Sequence, residues 1–228
     1  MLAEKVKNSI INVLQTLYSE GLLQFYKNPV IYKNRDDVLV TWPNHVSGSD
    51  ENTNDAFGTL AQYRSTLIDG SYNAILRDGS ILKVSYKFSR NQLIKHSLWY
   101  WPCPLVIPAS DMRDEVTLDA IDLYSTQWTD YVRFRTPLRF DFAPKEATPG
   151  HPASHIHMQV SECRIPVERP LGFASFVRFI FRNFHSQDWA SAGMWDSLTD
   201  NLDAEKDTCL HDDDLFIQHL AWKKRKNY

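Results

Sequence analysis

Residues 71–88 read SYNAILRDGSILKVSYKF, with Asp78-Gly79 between two runs of strand-forming residues. Asp-Gly is a favoured two-residue hairpin turn, because glycine reaches positive φ without a steric penalty. Beyond the turn, Leu82, Val84, Tyr86 and Phe88 alternate with Ile81, Lys83, Ser85 and Lys87. Successive strand residues point to opposite faces, so this run has one core face and one mostly polar face. SRNQ (89–92) then turns the chain into LIKHSLWYWPCP (93–104), a third strand closed by Pro102 and Pro104. The segment predicts an antiparallel meander.

On the N-terminal side, Val6, Ile10, Val13, Leu14 and Leu17 recur at helical spacing and Gly21 follows as a stop, predicting a helix over 1–20. Val30–Tyr32 and Val38–Trp42 are short β-rich runs around a polar turn. A helix capped by Asp55 is predicted to run to about Leu67, with Phe57, Leu60, Ala61 and Leu67 towards the core. Towards the C-terminus, residues 111–130 are acidic and predict a short surface helix. YVRFRTPLRFDF (131–142) predicts a strand with Pro137 at a bulge or edge, and HPASHIHMQVSEC (151–163) a further strand. FASFVRFIFRNF (173–184) is an apolar helix, and Trp189 to Leu198 and a last short segment predict helices in a C-terminal extension over 186–228. The pattern is a single α+β domain spanning 1–228, with helices on one face of a mostly antiparallel, curved sheet.

The bulk numbers narrow the function classes. The chain has 228 residues, a net charge of −3 and 43% hydrophobic residues, ordinary for a folded protein with a sizeable core. That charge argues against bulk attraction to nucleic acid, although a local basic site depends on how charge is arranged. Cys103, Cys163 and Cys209 are widely spaced and form no CxxC pair, which fits reduced thiols and gives no zinc framework. No run approaches the ~18 apolar residues of a membrane span. The expectation is a cytoplasmic protein with no membrane association.

Chemistry concentrates at HPASHIHMQV (151–160), which holds His151, His155 and His157. On a strand, His155, His157 and Gln159 share one face and Ile156, Met158 and Val160 the other. In the preceding strand Arg139 and Asp141 oppose Leu138, Phe140 and Phe142 in the same way. Were the two strands neighbours, one polar face would gather Arg139, Asp141, His155 and His157, with His151 at its mouth. Two imidazoles can serve as base and acid, a carboxylate can orient one of them, and an arginine can hold a phosphate bidentately. These are the parts of a metal-independent ribonuclease in which the RNA 2′-hydroxyl is the nucleophile. The expected substrate-binding residues are His151, Arg164, Arg178 and Arg182, in a region (131–185) where eight Lys and Arg stand against four acids.

Other readings compete. His155-x-His157 followed by Glu162 has the start of a cupin-like metal motif, but the glycine spacing and a second half are missing; an Asp141/His155/His157 triad is the metal alternative. The leading expectation holds no metal and no other cofactor. His45, His96, His185, His211 and His219 read as structural, WYWPCP (99–104) as core and turn, and KKRK (223–226) as a solubilising end.

DGSILKVSY, HSLWYWPCP, LRFDFAP, HPASHIHM and CRIPVERPLGFASFVRFIFRNF together resemble a bacterial family known as a domain of unknown function, over about residues 55 to 185. More distantly, the order DGS, LRFDFAP, HPASHIHM is similar to TumE-type toxins of toxin–antitoxin pairs, whose polar positions fall on Arg139, Asp141, Pro144, His151, His155 and His157. Ala143 stands where those toxins carry asparagine. The resemblance implies a toxin or anti-phage effector acting on RNA or a nucleotide, with an antitoxin or defence-system subunit as protein partner. The alternative is a non-catalytic partner or sensor using the same pocket, with the acidic 111–130 segment and the helix around Phe176–Phe184 as contact surfaces.

Overall fold

The structure is a computed structural model describing residues 1–45, 58–108, 110–114, 117–126, 128–200, 202, 209–210, 212, 214 and 217–221. The predicted cap at Asp55, Phe57, His211 and the basic end at 223–226 lie outside these residues.

The chain opens with helix α1 (Leu2–Ser19), whose buried stripe is Ala3, Val6, Ile10, Val13, Leu14 and Leu17. Its first N–H groups have no side-chain cap from Met1; instead Asn91 Oδ1, in a distant turn, accepts from Leu2 N at 2.7 Å. Strands β1 (Leu23–Tyr26), β2 (Val30–Asn34) and β3 (Asp37–Thr41) follow, then helix α2 (Leu60–Ile68), which starts at a reciprocal capping box between Thr59 and Gln62. Next come β4 (Ala74–Leu76), β5 (Ile81–Ser89) and β6 (Gln92–Trp101). The acidic segment forms three short helices, α3 (Asp111–Asp114), α4 (Thr117–Ser125) and α5 (Trp128–Tyr131), where one was expected. β7 (Leu138–Phe142), β8 (Ser154–Met158), β9 (Val160–Pro166), α6 (Phe173–Phe184) and α7 (Ser186–Ser191) complete the regular elements.

The strands make one open antiparallel sheet in the order β1-β4-β5-β6-β7-β8-β9. The β2–β3 hairpin joins alongside the far half of β5, pairing Val38 with Phe88, while β4 takes the near half, pairing Ala74 with Leu82. The expected meander is β4–β5–β6. Its first turn is longer than predicted: Leu76 and Ser80 pair, so Arg77-Asp78-Gly79 is a three-residue loop, closed by Gly79 N–H donating to Leu76 O with Gly79 at φ +84°. That is a type I turn followed by a left-handed residue. The second turn is a two-residue one, with Arg90 and Asn91 both at positive φ.

Two predicted strands change extent. β7 begins only at Leu138, because Pro137 lacks the N–H a ladder requires. The histidine segment is a hairpin of two strands, not one, with Gln159 at φ +63° as the reversal. Gln159 is therefore a turn residue and does not share the face of His155 and His157. Val160, expected in the core, is 53% exposed just beyond that turn.

Alternation then sorts the sheet. On one face, Leu82, Val84, Tyr86, Leu98, Phe140, Phe142 and Ile156 meet α1 and α6 in the main core. Phe140 packs edge-on against Phe176 and Phe179 at 6.0 and 5.2 Å. Burying such side chains contributes roughly 2–3 kcal/mol each. The opposite face carries a smaller core at one end, where Tyr63 and Leu67 of α2 and Ile121 of α4 cover Ile75, Ile81 and Trp101. The fold is the expected α+β arrangement on an open antiparallel sheet: α1 and α6 cover one face, and α2 and α4 add cover at one end of the other. The rest of that second face is polar, and it bears the histidines.

Candidate functional site

The site is a product of register. β7 and β8 pair antiparallel with Arg139 opposite His157 and Asp141 opposite His155. The same rows continue across β6 and β5: Lys83, Trp99, Arg139 and His157 form one, and Ser85, Ser97, Asp141 and His155 the next. Directly opposed residues in adjacent strands hold their Cβ atoms about 4.5–5.5 Å apart, so each row brings its side chains into contact.

Asp141 is the hub. Its Oδ1 accepts from Ser97 Oγ at 2.7 Å, and its Oδ2 lies 2.6 Å from Arg139 Nε and 3.2 Å from His157 Nε2. His155 Nδ1 sits 2.7 Å from Pro152 O, and its Nε2 sits 2.9 Å from His157 Nε2. A carbonyl only accepts, so His155 carries its proton on Nδ1 and turns a lone pair at Nε2 towards His157. His157 Nε2–H is then the donor shared between that lone pair and Asp141. Both histidines are only 2% exposed and Arg139 8%. The guanidinium of Arg139 also lies over the Trp99 ring, 4.9 Å from its centroid.

Burial by itself would raise the Asp141 pKa. The hydrogen bond from His157, the charge of Arg139 and the Ser97 hydroxyl prevail and hold it well below the usual carboxylate range. His155 moves the other way from its usual value: burial pushes it down to about 4, against the pull of Asp141. With His155 neutral, the pocket joins an ionised carboxylate to the permanent cation of Arg139.

Arg139, Asp141, His155 and His157 are thus brought together as the alternation argument required. His151 stands at the edge of the cluster, its ring 4.9 Å from that of His155 and half-buried. Desolvation and then the charge of Arg164, on β9, lower its pKa. Arg178 and Arg182 need correcting. Both ride on α6, which packs on the opposite face of the sheet. Arg178 donates to Leu198 O at 2.6 Å and pairs with Asp200 at 3.8 Å, pinning the C-terminal segment, and Arg182 is exposed on the outer side. Helical spacing made the two neighbours of each other but said nothing about which face the helix would cover. Glu162 is exposed on β9 and stands outside the convergent group.

Sequence reasoning passed over Ser97, and it read Lys83 as part of the mostly polar face of its strand and Trp99 as core and turn. Lys83 is only 2% exposed, and its ammonium lies 4.8 Å from the Trp42 ring centroid and 5.7 Å from that of Trp99. Alternation did assign Lys83 to the polar face. Its burial depends on covering segments distant in sequence, which no local pattern encodes. Trp99 stacks on Trp101, joining the polar rows to the smaller core.

Asp141, His155 and His157 also offer three metal-capable donor atoms within 4.8 Å of one another, the one such group among the described residues. No helix among those residues is long and apolar enough to cross a membrane. No curated protein and no solved structure matches the chain. The family described as "Uncharacterized conserved protein (DUF2290)" matches residues 22–222, and the chain belongs to that family.

Proposed function

We propose that this protein is an RNA-cleaving effector of the toxin or anti-phage kind, acting in the bacterial cytoplasm. The observation that carries the reading is the buried convergence of Arg139, Asp141, His155 and His157 on one sheet face. Burying a guanidinium and a carboxylate costs several kcal/mol per ion unless they are well paired, and a fold gains little stability from placing two imidazoles beside them. The likeness of LRFDFAP and HPASHIHM to TumE-type toxins supports the same substrate class.

In this reading the 2′-hydroxyl of RNA attacks the adjacent phosphorus and the bond from phosphorus to the 5′ oxygen breaks. The proton leaving the 2′-hydroxyl is taken up at the His155–His157–Asp141 cluster, and the departing 5′ oxygen takes one from solvent water. Arg139 holds a non-bridging oxygen and stabilises the charge that develops there. The geometry changes one expected role. An acid and a base that flank a phosphate stand on either side of it, whereas the two Nε2 atoms are 2.9 Å apart. The imidazoles therefore act as one unit at one point, not as separate acid and base.

The test is RNA cleavage by the purified chain and growth arrest on its expression. His157→Ala should lose both while retaining the wild-type circular dichroism spectrum. Full activity in a folded His157→Ala protein would contradict the proposal. A second reading, a non-catalytic subunit, draws on exposed apolar residues, above all Phe134, which is 98% exposed. The apolar stripe of α6 does not serve it, being buried against the sheet. Stable co-purification with a partner, and intact RNA in cells expressing the chain alone, would favour that second reading.

A further inference from the structure

We infer that Asp141, His155 and His157 form a binding site for a divalent first-row cation of the Mn²⁺-to-Zn²⁺ series, a cofactor for the anion-handling face proposed above; with the cation bound, the three side chains hold it and do not themselves exchange protons with the RNA. The inference rests on that reading for its substrate and on geometry for its metal. His-x-His on β8 sends two imidazoles to one face, and Asp141 stands directly across from His155. Bonds of about 2.0–2.2 Å at angles near 90–110° place neighbouring donor atoms roughly 3.0–3.5 Å apart. Two of the three donor pairs lie near this spacing, the two Nε2 atoms at 2.9 Å and His157 Nε2 at 3.2 Å from Asp141 Oδ2, and all three donors fall within 4.8 Å of one another.

The supporting contacts have the form such a site requires. A histidine that ligates through Nε2 donates its Nδ1–H to a carbonyl or carboxylate, which fixes the tautomer and aims the lone pair. His155 does this at Pro152 O. Asp141 is oriented by Ser97 at one oxygen and by Arg139 at the other. Hydrogen bonding alone serves the trio less well, since the one N–H at His157 Nε2 has to be divided between a lone pair and a carboxylate.

The donor set selects the ion. Two neutral imidazoles and one carboxylate suit borderline first-row cations, whereas Ca²⁺ and Mg²⁺ favour all-oxygen shells. Three protein ligands leave coordination positions for substrate. The cation would add to the charge of Arg139, with Lys83 in the same row, so the loaded site calls for an anion. A phosphoryl oxygen meets that need, and phosphate and metal should each strengthen the binding of the other.

The chain purified without chelator should carry about one equivalent of such a metal by elemental analysis. After EDTA treatment, Co²⁺ titration should produce visible absorption bands and raise the thermal midpoint of the wild-type protein. His155→Ala and His157→Ala should abolish the bands, and His185→Gln, on the other side of the sheet, should keep them. Because the ligand variants could fail to fold, the wild-type result stands by itself: no retained metal, no bands and no thermal shift with millimolar Co²⁺ would overturn the inference. RNA cleavage undiminished by EDTA would overturn the metal site and leave the ribonuclease reading intact. Stoichiometric Co²⁺ binding without RNA cleavage would support the metal site and remove the ribonuclease reading.

Discussion

His96 and His155 lie on opposite faces of one sheet, both 2% exposed and both with burial driving their pKa down to about 4. Their surroundings differ. His96 lies among Tyr86 and Phe142, with its Nε2 accepting the backbone N–H of Leu171 at 3.0 Å. It ties the segment before α6 to the sheet, and its ring otherwise packs against those aromatic side chains. His155 instead turns Nε2 towards a second imidazole and an ionised carboxylate, with an arginine behind. Burial and a depressed pKa are common to both and do not mark a site. Convergence of several titratable side chains on one point does.

The contrast yields measurable differences. The largest is expected for Asp141→Ala, which removes the carboxylate 2.6 Å from the buried guanidinium of Arg139. Breaking such a pair costs about 3–5 kcal/mol, and the double variant Arg139→Ala/Asp141→Ala should recover part of it in urea denaturation. On the other face, Phe140→Ala opens a cavity among Phe176, Phe179 and Ile156, with a loss of about 3–5 kcal/mol. Equal activity per folded molecule in that variant and the wild type would sharpen the division between the faces; loss of activity would blur it.

Acid should weaken both faces together. His96 and His155 have folded pKa values below their unfolded ones. Their neutral forms thus contribute stability that is complete above about 6.5 and lost as pH falls towards 4. His96 alone accounts for about 3 kcal/mol across that window. Denaturation midpoints measured from pH 7 to 4 should fall, and less so in His96→Gln. Thr59→Ala, which removes the α2 capping box, should cost about 1 kcal/mol. Arg182→Ala, on the exposed side of α6, should change stability by less than about 0.5 kcal/mol and leave RNA cleavage unchanged.

Much of this arrangement is legible in sequence because strands have an integral period. Alternation across LRFDF and SHIHM sorted the two faces correctly, and the pairing of Arg139 with His157 follows once those strands are neighbours. The hairpin after Met158 was hidden, because Gln159 turns the chain at a position where neither glycine nor asparagine announces it. Lys83 was hidden for another reason. A lysine in an alternating strand has the same local pattern whether solvent or protein covers it. Arg178 was misassigned because helical spacing gives a relation within the helix and not the face of the sheet on which it docks.

We place the function on the polar face and not on the face packed against α1 and α6. That placement is tested most directly by comparing RNA cleavage per folded molecule in His157→Ala and His96→Gln. His157→Ala should lose at least about 100-fold, and the less stable His96→Gln should keep wild-type specific activity. Equal activity in His157→Ala and wild type, or a loss confined to His96→Gln, would contradict it.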